Sequence, residues 1–331
     1  MPPATKPPST ADTMALRIVL LGTGEFALPT FRALIEGDQH EVVAVYTQPD
    51  RSGRGHHRHV NPVKALAEAH GIPVLQPEKV NTQESLAQLK DFHADLFLVA
   101  AYGQILKPDF LAIPPLGAFN LHGSLLPRHR GAAPVQYSIW KGDRQAGVTM
   151  FRIEPALDSG PMVAKTATDI MPGETSGDLM LRLAELSVPL TITALQQLEA
   201  GTAVFEVQDA AQVTLAPKIQ KEDGLIDWNQ SATEIVCQIQ AMQPWPKASS
   251  WLHTPDRPAL RCLFLSAKAV SAEAHHFPGT VKIDSRSLLV HAGAGQLKIL
   301  SIQPEGKKAM EAESFLNGYG ISSQCTFRRS E

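Results

Sequence analysis

The residues best able to do chemistry in this chain are Asn120 and His122, within Gly117-Ala-Phe-Asn-Leu-His-Gly-Ser-Leu-Leu-Pro-Arg-His-Arg-Gly131. They stand two positions apart. In a strand over Ala118 to His122 both project from one face, while Phe119 and Leu121 project into packing on the other. An amide beside an imidazole can polarise a carbonyl and hold the oxyanion that forms on nucleophilic attack, and the imidazole can also move a proton. The residues that follow prepare a pocket. Leu125, Leu126 and Pro127 offer an apolar surface, Pro127 fixes a turn, and Gly131 permits close approach of the backbone to a ligand.

A carboxylate near His122 would favour imidazolium, a stronger donor to an oxyanion and a relay for a proton. Asp158, in Glu154-Pro-Ala-Leu-Asp-Ser-Gly160, is the candidate, although taken alone an aspartate before Ser-Gly is better read as an ordinary turn residue. Ser124 is not read as a covalent nucleophile with His122 as its base: no Gly-x-Ser-x-Gly elbow is present, and the intervening glycine does not make the two side chains meet.

The elements that must position these groups follow a repeating pattern. Ile18 to Leu21 reads as a strand, Gly22-Thr-Gly24 as a tight turn and Phe26 to Ile35 as a helix with Pro29 near its start. Further strands are expected at Val42 to Tyr46, Val74-Leu75, Asp95 to Ala101, Ala118 to His122 and Val148 to Ile153. Helical patterns lie between them at Pro62 to His70, Thr82 to Lys90 and Ala133 to Lys141. The alternation predicts an α/β, Rossmann-like, mainly parallel sheet domain, with ligands at the carboxyl ends of its strands, where the loop after His122 lies. Met162 to Ile170 alternates like an edge or antiparallel strand, and Ser176 to Glu199 is a long helix.

Periodicity fades over 201–216. Beyond it come a helix at Ala232 to Ala241 and short strands at Gly279 to Ile283, Ser287 to His291 and Gln296 to Ile302, the texture of a small β-barrel. The expected division is therefore an extension over 1–15, a catalytic domain over 16–200, a linker over 201–216 and a barrel-like domain over 217–331. The extension is rich in Pro, Ser and Thr and reads as disordered.

Composition narrows the class. The 331 residues are 44% hydrophobic and 19% charged with a net charge of -3, so a polyanionic partner would have to be met by a local basic segment. Three widely spaced cysteines form no metal pattern and fit a reducing compartment. No apolar run approaches the roughly 20 residues of a membrane span, and the expected location is the cytoplasm.

Gly22-Thr-Gly24-Glu-Phe-Ala27 satisfies a dinucleotide fingerprint, but the second strand ends in Tyr46-Thr-Gln48 without the acidic residue that holds a ribose, which favours a packing turn. The loop over 48–60 carries Arg51, Arg54 and Arg58 with His56, His57 and His59. Its arginines oppose a metal cation, and a basic loop near the carboxyl end of a strand is placed to meet phosphates. The segment around Trp245 and Trp251 reads as packing structure.

Asn120-Leu-His-Gly-Ser-Leu-Leu-Pro-Arg-x-Arg-Gly131, followed by Leu157-Asp-Ser-Gly160, resembles the formyltetrahydrofolate-dependent formyltransferases. The likeness runs from Leu16 to near the C-terminus and takes in Thr47-Gln-Pro-Asp-Arg51, Ile226-Asp-Trp228, Pro244-Trp-Pro246 and Gln303-Pro-x-Gly-Lys307-Lys308-x-Met310. It implies that Asn120, His122 and Asp158 are catalytic, that Ser124, Leu125, Leu126 and Pro127 line the pocket of 10-formyltetrahydrofolate, and that no metal takes part. The carboxyl-terminal motifs point to the branch whose acceptor is methionine on initiator tRNA. By that likeness the final domain is an oligonucleotide-binding-like barrel, Arg51, Arg54 and Arg58 meet the tRNA, and Lys307 and Lys308 lie against its backbone. No membrane association or obligate protein partner is implied. The alternative is a relative that formylates a small amine or releases formate to water. Members usually carry Gly-Thr-Pro where this chain has Gly22-Thr-Gly24, and lysines where the basic loop has histidines; the latter makes RNA affinity depend more on pH.

Overall fold

The computed structural model describes residues 15–50, 61–271 and 277–331. The extension expected over 1–15 lies, but for its last residue, outside them, as do Arg51, Arg54, Arg58 and the three loop histidines. The first half runs β1 (Arg17–Gly22), α1 (Leu28–Glu36), β2 (Glu41–Tyr46), α2 (Pro62–Ala69), β3 (Val74–Leu75), α3 (Gln83–Asp91) and β4 (Leu96–Ala100). It continues with α4 (Pro108–Leu111), β5 (Gly117–His122), β6 (Arg130–Gly131), α5 (Pro134–Trp140), β7 (Gln145–Arg152), β8 (Met162–Asp169) and α6 (Ser176–Glu199).

Seven of these strands form one sheet in the order β3-β2-β1-β4-β5-β7-β8. The pairs from β3 to β5 are parallel, and β7 lies antiparallel to β5. Continuous apolar runs such as Ile18 to Leu21 and Leu96 to Ala100 are buried throughout, as strands covered on both faces must be. Helix starts follow their caps: the Asn61 side chain accepts from the Val63 and Lys64 amides, and Thr82 accepts from Ser85. Gly22 is a packing glycine, because a Cβ there would stand 2.6 Å from the Ala100 carbonyl oxygen and 2.7 Å from the Phe31 ring. A core of Val19, Leu21, Tyr46, Phe97, Val99, Phe110 and their neighbours holds the sheet. Burial pushes the Tyr46 and Tyr102 phenols well above their ordinary range, so both stay neutral.

The second half runs β9 (Leu215–Ala216), α7 (Ala232–Ala241), β10 (Ala248–Thr254), β11 (Arg257–Val270), β12 (Val281–Asp284), β13 (Ser287–His291), β14 (Gln296–Pro304), β15 (Met310–Glu311), α8 (Ala312–Tyr319) and β16 (Thr326–Arg328). Its antiparallel sheet has the order β12-β13-β14-β11-β10-β16, with β15 added to β14. Register shifts around Ser266 let the long β11 bend. The curl brings the two edges together, where the Phe327 amide donates to the Gly279 carbonyl at 2.7 Å and Val281 donates to Cys325 at 3.2 Å. Trp228, Phe264 and Phe327 pack edge to face or tilted with centroids 5.1–5.8 Å apart, and the Trp228 indole donates to Ser250 at 2.9 Å. This curled antiparallel half-barrel is the small β-barrel of the sequence reading.

The chain divides into two compact units. One runs to His122 and takes in Val148–Thr166 and Leu183–Asp209; the other comprises Gly123–Gly147, Ala167–Arg182 and Ala210–Glu331. Among the described residues no helix is long and apolar enough to cross a membrane.

Candidate active site

Strand β5 is hydrogen-bonded on both sides, pairing in parallel with β4 and antiparallel with β7. Its alternation is as the sequence demands: Phe119 and Leu121 are buried, and Asn120 and His122 share the opposite face at the carboxyl end of the parallel sheet. Asn120 is half-buried and His122 only 5% exposed. Opposite them on β7 lie Phe151, paired with Asn120, and Thr149, paired with His122. The His122 ring meets Phe151 edge-on at 6.2 Å.

Asp158 arrives on the loop between β7 and β8. Its Oδ2 lies 3.8 Å from His122 Nδ1, within ion-pair range but beyond a hydrogen bond. The two groups face each other across a partly desolvated gap, since Asp158 is itself mostly buried. Three features hold the loop. Asp158 adopts φ +44, a left-handed conformation that aspartate tolerates better than most residues. Gly160 packs against β7 so closely that a Cβ would stand 1.8 Å from the Arg152 carbonyl oxygen. The buried Gln208 donates its two amide N–H groups to the carbonyls of Asp158 and Gly160, each at 2.8 Å.

Gln208 belongs to the stretch the sequence reading leaves as a linker. Glu206 exchanges two 2.8 Å backbone hydrogen bonds with Met162 of β8. Phe205 stacks on Phe119 of β5 at 6.3 Å, with the Arg152 guanidinium 4.3 Å above its ring. Val204-Phe-Glu-Val-Gln208 carries no two-residue period that would mark it: Val204 and Val207 are exposed while Gln208 is buried.

The residues after His122 have structural employment of their own. Ser124 is fully buried and its hydroxyl donates to the Arg128 carbonyl at 2.7 Å; Leu126 and Pro127 are buried, while Leu125 lines a cavity of about 270 Å³ with Arg128, His129, Ser138, Asp143, Arg144 and Gln145. Gly131, at φ +125, approaches backbone as expected, but the partner is β9 and not a ligand: a Cβ would stand 2.6 Å from the Ala216 carbonyl oxygen. His129 is the other buried histidine of the stretch. Its Nε2 lies 2.7 Å from Asp143, its Nδ1 3.3 Å from the Thr214 hydroxyl, and Arg128 reaches the same carboxylate at 2.6 Å.

Lys307 and Lys308 are exposed on the turn between β14 and β15, where Gln303 donates to the Lys307 carbonyl at 2.8 Å. Trp245 departs from the packing role expected of it, with 57% of its surface exposed. Among the described residues no three His, Cys, Asp or Glu side chains gather as a metal site requires. The roots of the basic loop are anchored: Gln48 donates to the Tyr102 carbonyl at 2.8 Å, and Lys64 pairs with Asp50 at 2.6 Å.

An amide, an imidazole and a carboxylate converging at a strand end suit acyl transfer to a nucleophile, with charge developing on a carbonyl oxygen. The chain belongs to the formyl transferase family, whose domain matches residues 16–195 and whose C-terminal domain matches residues 218–320. More particularly, it is 43% identical over 310 residues to the methionyl-tRNA formyltransferase of Methylococcus capsulatus, an alignment covering 93% of this chain and 99% of that one. Its fold is shared with a sugar 3N-formyl transferase crystallised with dTDP and 5-N-formyl-THF, at TM-score 0.62 and 16% identity over 88% of this chain and 99% of that one. An N-formyltransferase from Helicobacter canadensis aligns at TM-score 0.61 and 17% identity, covering 86% of this chain and 99% of the other.

Proposed function

We propose that this protein transfers the formyl group of 10-formyltetrahydrofolate to the α-amino group of methionine esterified to initiator tRNA, the modification that readies it for translation initiation. The observation that carries this reading is the near full-length 43% identity to a methionyl-tRNA formyltransferase. The lone pair of the amine attacks the formyl carbon, and the carbonyl electrons move onto oxygen. Asn120 and protonated His122 donate hydrogen bonds to that oxyanion. Asp158, 3.8 Å from His122 Nδ1, keeps the ring charged and helps carry the proton from the attacking nitrogen to N10 of the folate as the C–N bond breaks. The products are formylmethionyl-tRNA and tetrahydrofolate, with no metal and no covalent enzyme intermediate.

Ser124, Leu125, Leu126 and Pro127 line the folate pocket in this reading. Residues 16–200 form the catalytic domain, 201–216 the linker and 217–331 the tRNA-binding domain. Arg51, Arg54, Arg58, Lys307 and Lys308 meet tRNA phosphates, for which guanidinium and ammonium groups are suited. The enzyme acts in the cytoplasm without an obligate protein partner.

The test is a partition experiment. Labelled 10-formyltetrahydrofolate is incubated with the protein and, separately, methionylated initiator tRNA, free methionine, glycinamide ribonucleotide or water. Label is expected on the tRNA; transfer to one of the other acceptors instead overturns the assignment.

A further inference from the structure

We propose that Gln208 is a positioning residue for formyl transfer, holding the Asp158 backbone so that its carboxylate stays beside His122. The proposal rests on the role given to Asp158 above. Gln208 lies 50 residues beyond Asp158 in the chain and outside the motifs that carry the formyltransferase likeness.

A non-glycine residue at φ +44 keeps that geometry only where its surroundings over-determine it. On the carbonyl side of Asp158 the Gln208 side chain is such a determinant. One amide nitrogen, 2.8 Å from each of two carbonyl oxygens, fixes the Asp158–Ser159 and Gly160–Pro161 peptides. A carboxamide suits this task because it presents two N–H groups in one plane. Glutamate has the same shape but would bring negative charge against two carbonyl oxygens.

The donor is itself well rooted. The Met162–Glu206 bridge, the Lys165–Glu206 ion pair at 3.1 Å and the stacking of Phe205 on Phe119 fix residues 205–206 against β8 and β5. One short segment thus grips both the strand that carries Asn120 and His122 and the loop that carries Asp158. Without Gln208 the residue at 158 relaxes toward negative φ and its carboxylate leaves His122 Nδ1. A displacement of about 1 Å in a catalytic group is enough to cost on the order of a hundredfold in rate.

The test is a double-mutant cycle between Gln208→Ala and Asp158→Asn, read by steady-state formylation of methionylated initiator tRNA, with melting curves to establish folding. Gln208→Ala is expected to lower kcat about ten- to hundredfold while KM for formyltetrahydrofolate stays within about twofold. On the Asp158→Asn background the same substitution is expected to cost less than about threefold, because the group it positions no longer acts. Gln208→Met, which keeps length and bulk, serves if the alanine variant does not fold, and carries the same expectation. Retention of more than half the wild-type kcat overturns the proposal. So does a loss of equal size on both backgrounds, the signature of a structural role alone. Should wild-type protein formylate a different acceptor, the functional reading fails, and the cycle run with that acceptor still decides the case for Gln208.

Discussion

Seven residues apart in one stretch of chain, two buried histidines each face an aspartate, and the two pairs are built differently. His129 and Asp143 are in full hydrogen-bond contact at 2.7 Å, Arg128 shares the carboxylate at 2.6 Å, and the second ring nitrogen of His129 meets the Thr214 hydroxyl at 3.3 Å. Both of its nitrogens are committed within the protein. His122 and Asp158 stand 3.8 Å apart, in ion-pair range, and Gln208 grips the backbone of the aspartate. A pair in contact at 2.7 Å is tied as a hydrogen bond, whereas the pair at 3.8 Å interacts across a gap as opposite charges do. By burial alone the two histidines, 3% and 5% exposed, would be indistinguishable.

The widest separation between the pairs comes from alanine at each histidine. His122→Ala should reduce kcat by roughly 100- to 1000-fold, the usual cost of an oxyanion donor, with little change in the urea midpoint. A near-normal rate in the tRNA formylation assay would place the chemistry elsewhere. Asp158→Asn keeps shape and removes charge, and a loss of about 10- to 100-fold in kcat is expected, read in the same assay. His129→Ala should do the reverse of His122→Ala. Leaving a buried carboxylate short of a partner destabilises by about 1–3 kcal/mol, measured by urea unfolding, while kcat per folded molecule is retained. A large kcat loss there would break the contrast between the pairs. Arg128→Ala, at the exposed edge of the bonded pair, should cost about 1 kcal/mol or less in the same measurement.

The amino-terminal sheet was largely legible. Continuous apolar runs mark β1, β2 and β4, and the two-residue period of β5 puts Asn120 and His122 on one face. That β7 runs antiparallel to β5 was not legible, because an alternating pattern of elements does not encode direction. In the second half β9, β10, β11, β15 and β16 have no clear mark in the sequence, and for the long β11 the reason is specific. The burial of β11 follows no clean alternation, since its register shifts around Ser266 move successive side chains out of phase. Asp158 could be nominated but its distance from His122 could not, as a loop's course depends on contacts such as the missing Cβ of Gly160. Gln208 was invisible for the same reason: nothing in a linker's composition reveals which carbonyls its side chains will reach.

The double pairing of β5 has a consequence for how this chain can change length. Loops can gain or lose residues at small cost, but the span from Ala118 to His122 tolerates only even edits. A single residue inserted before Asn120 would leave the strand's ladder formally intact and exchange its two faces, driving the amide and imidazole into the space now filled by Phe119 and Leu121. The chemistry of the site is thus protected by parity, and a one-residue insertion there would abolish it without removing any of its residues.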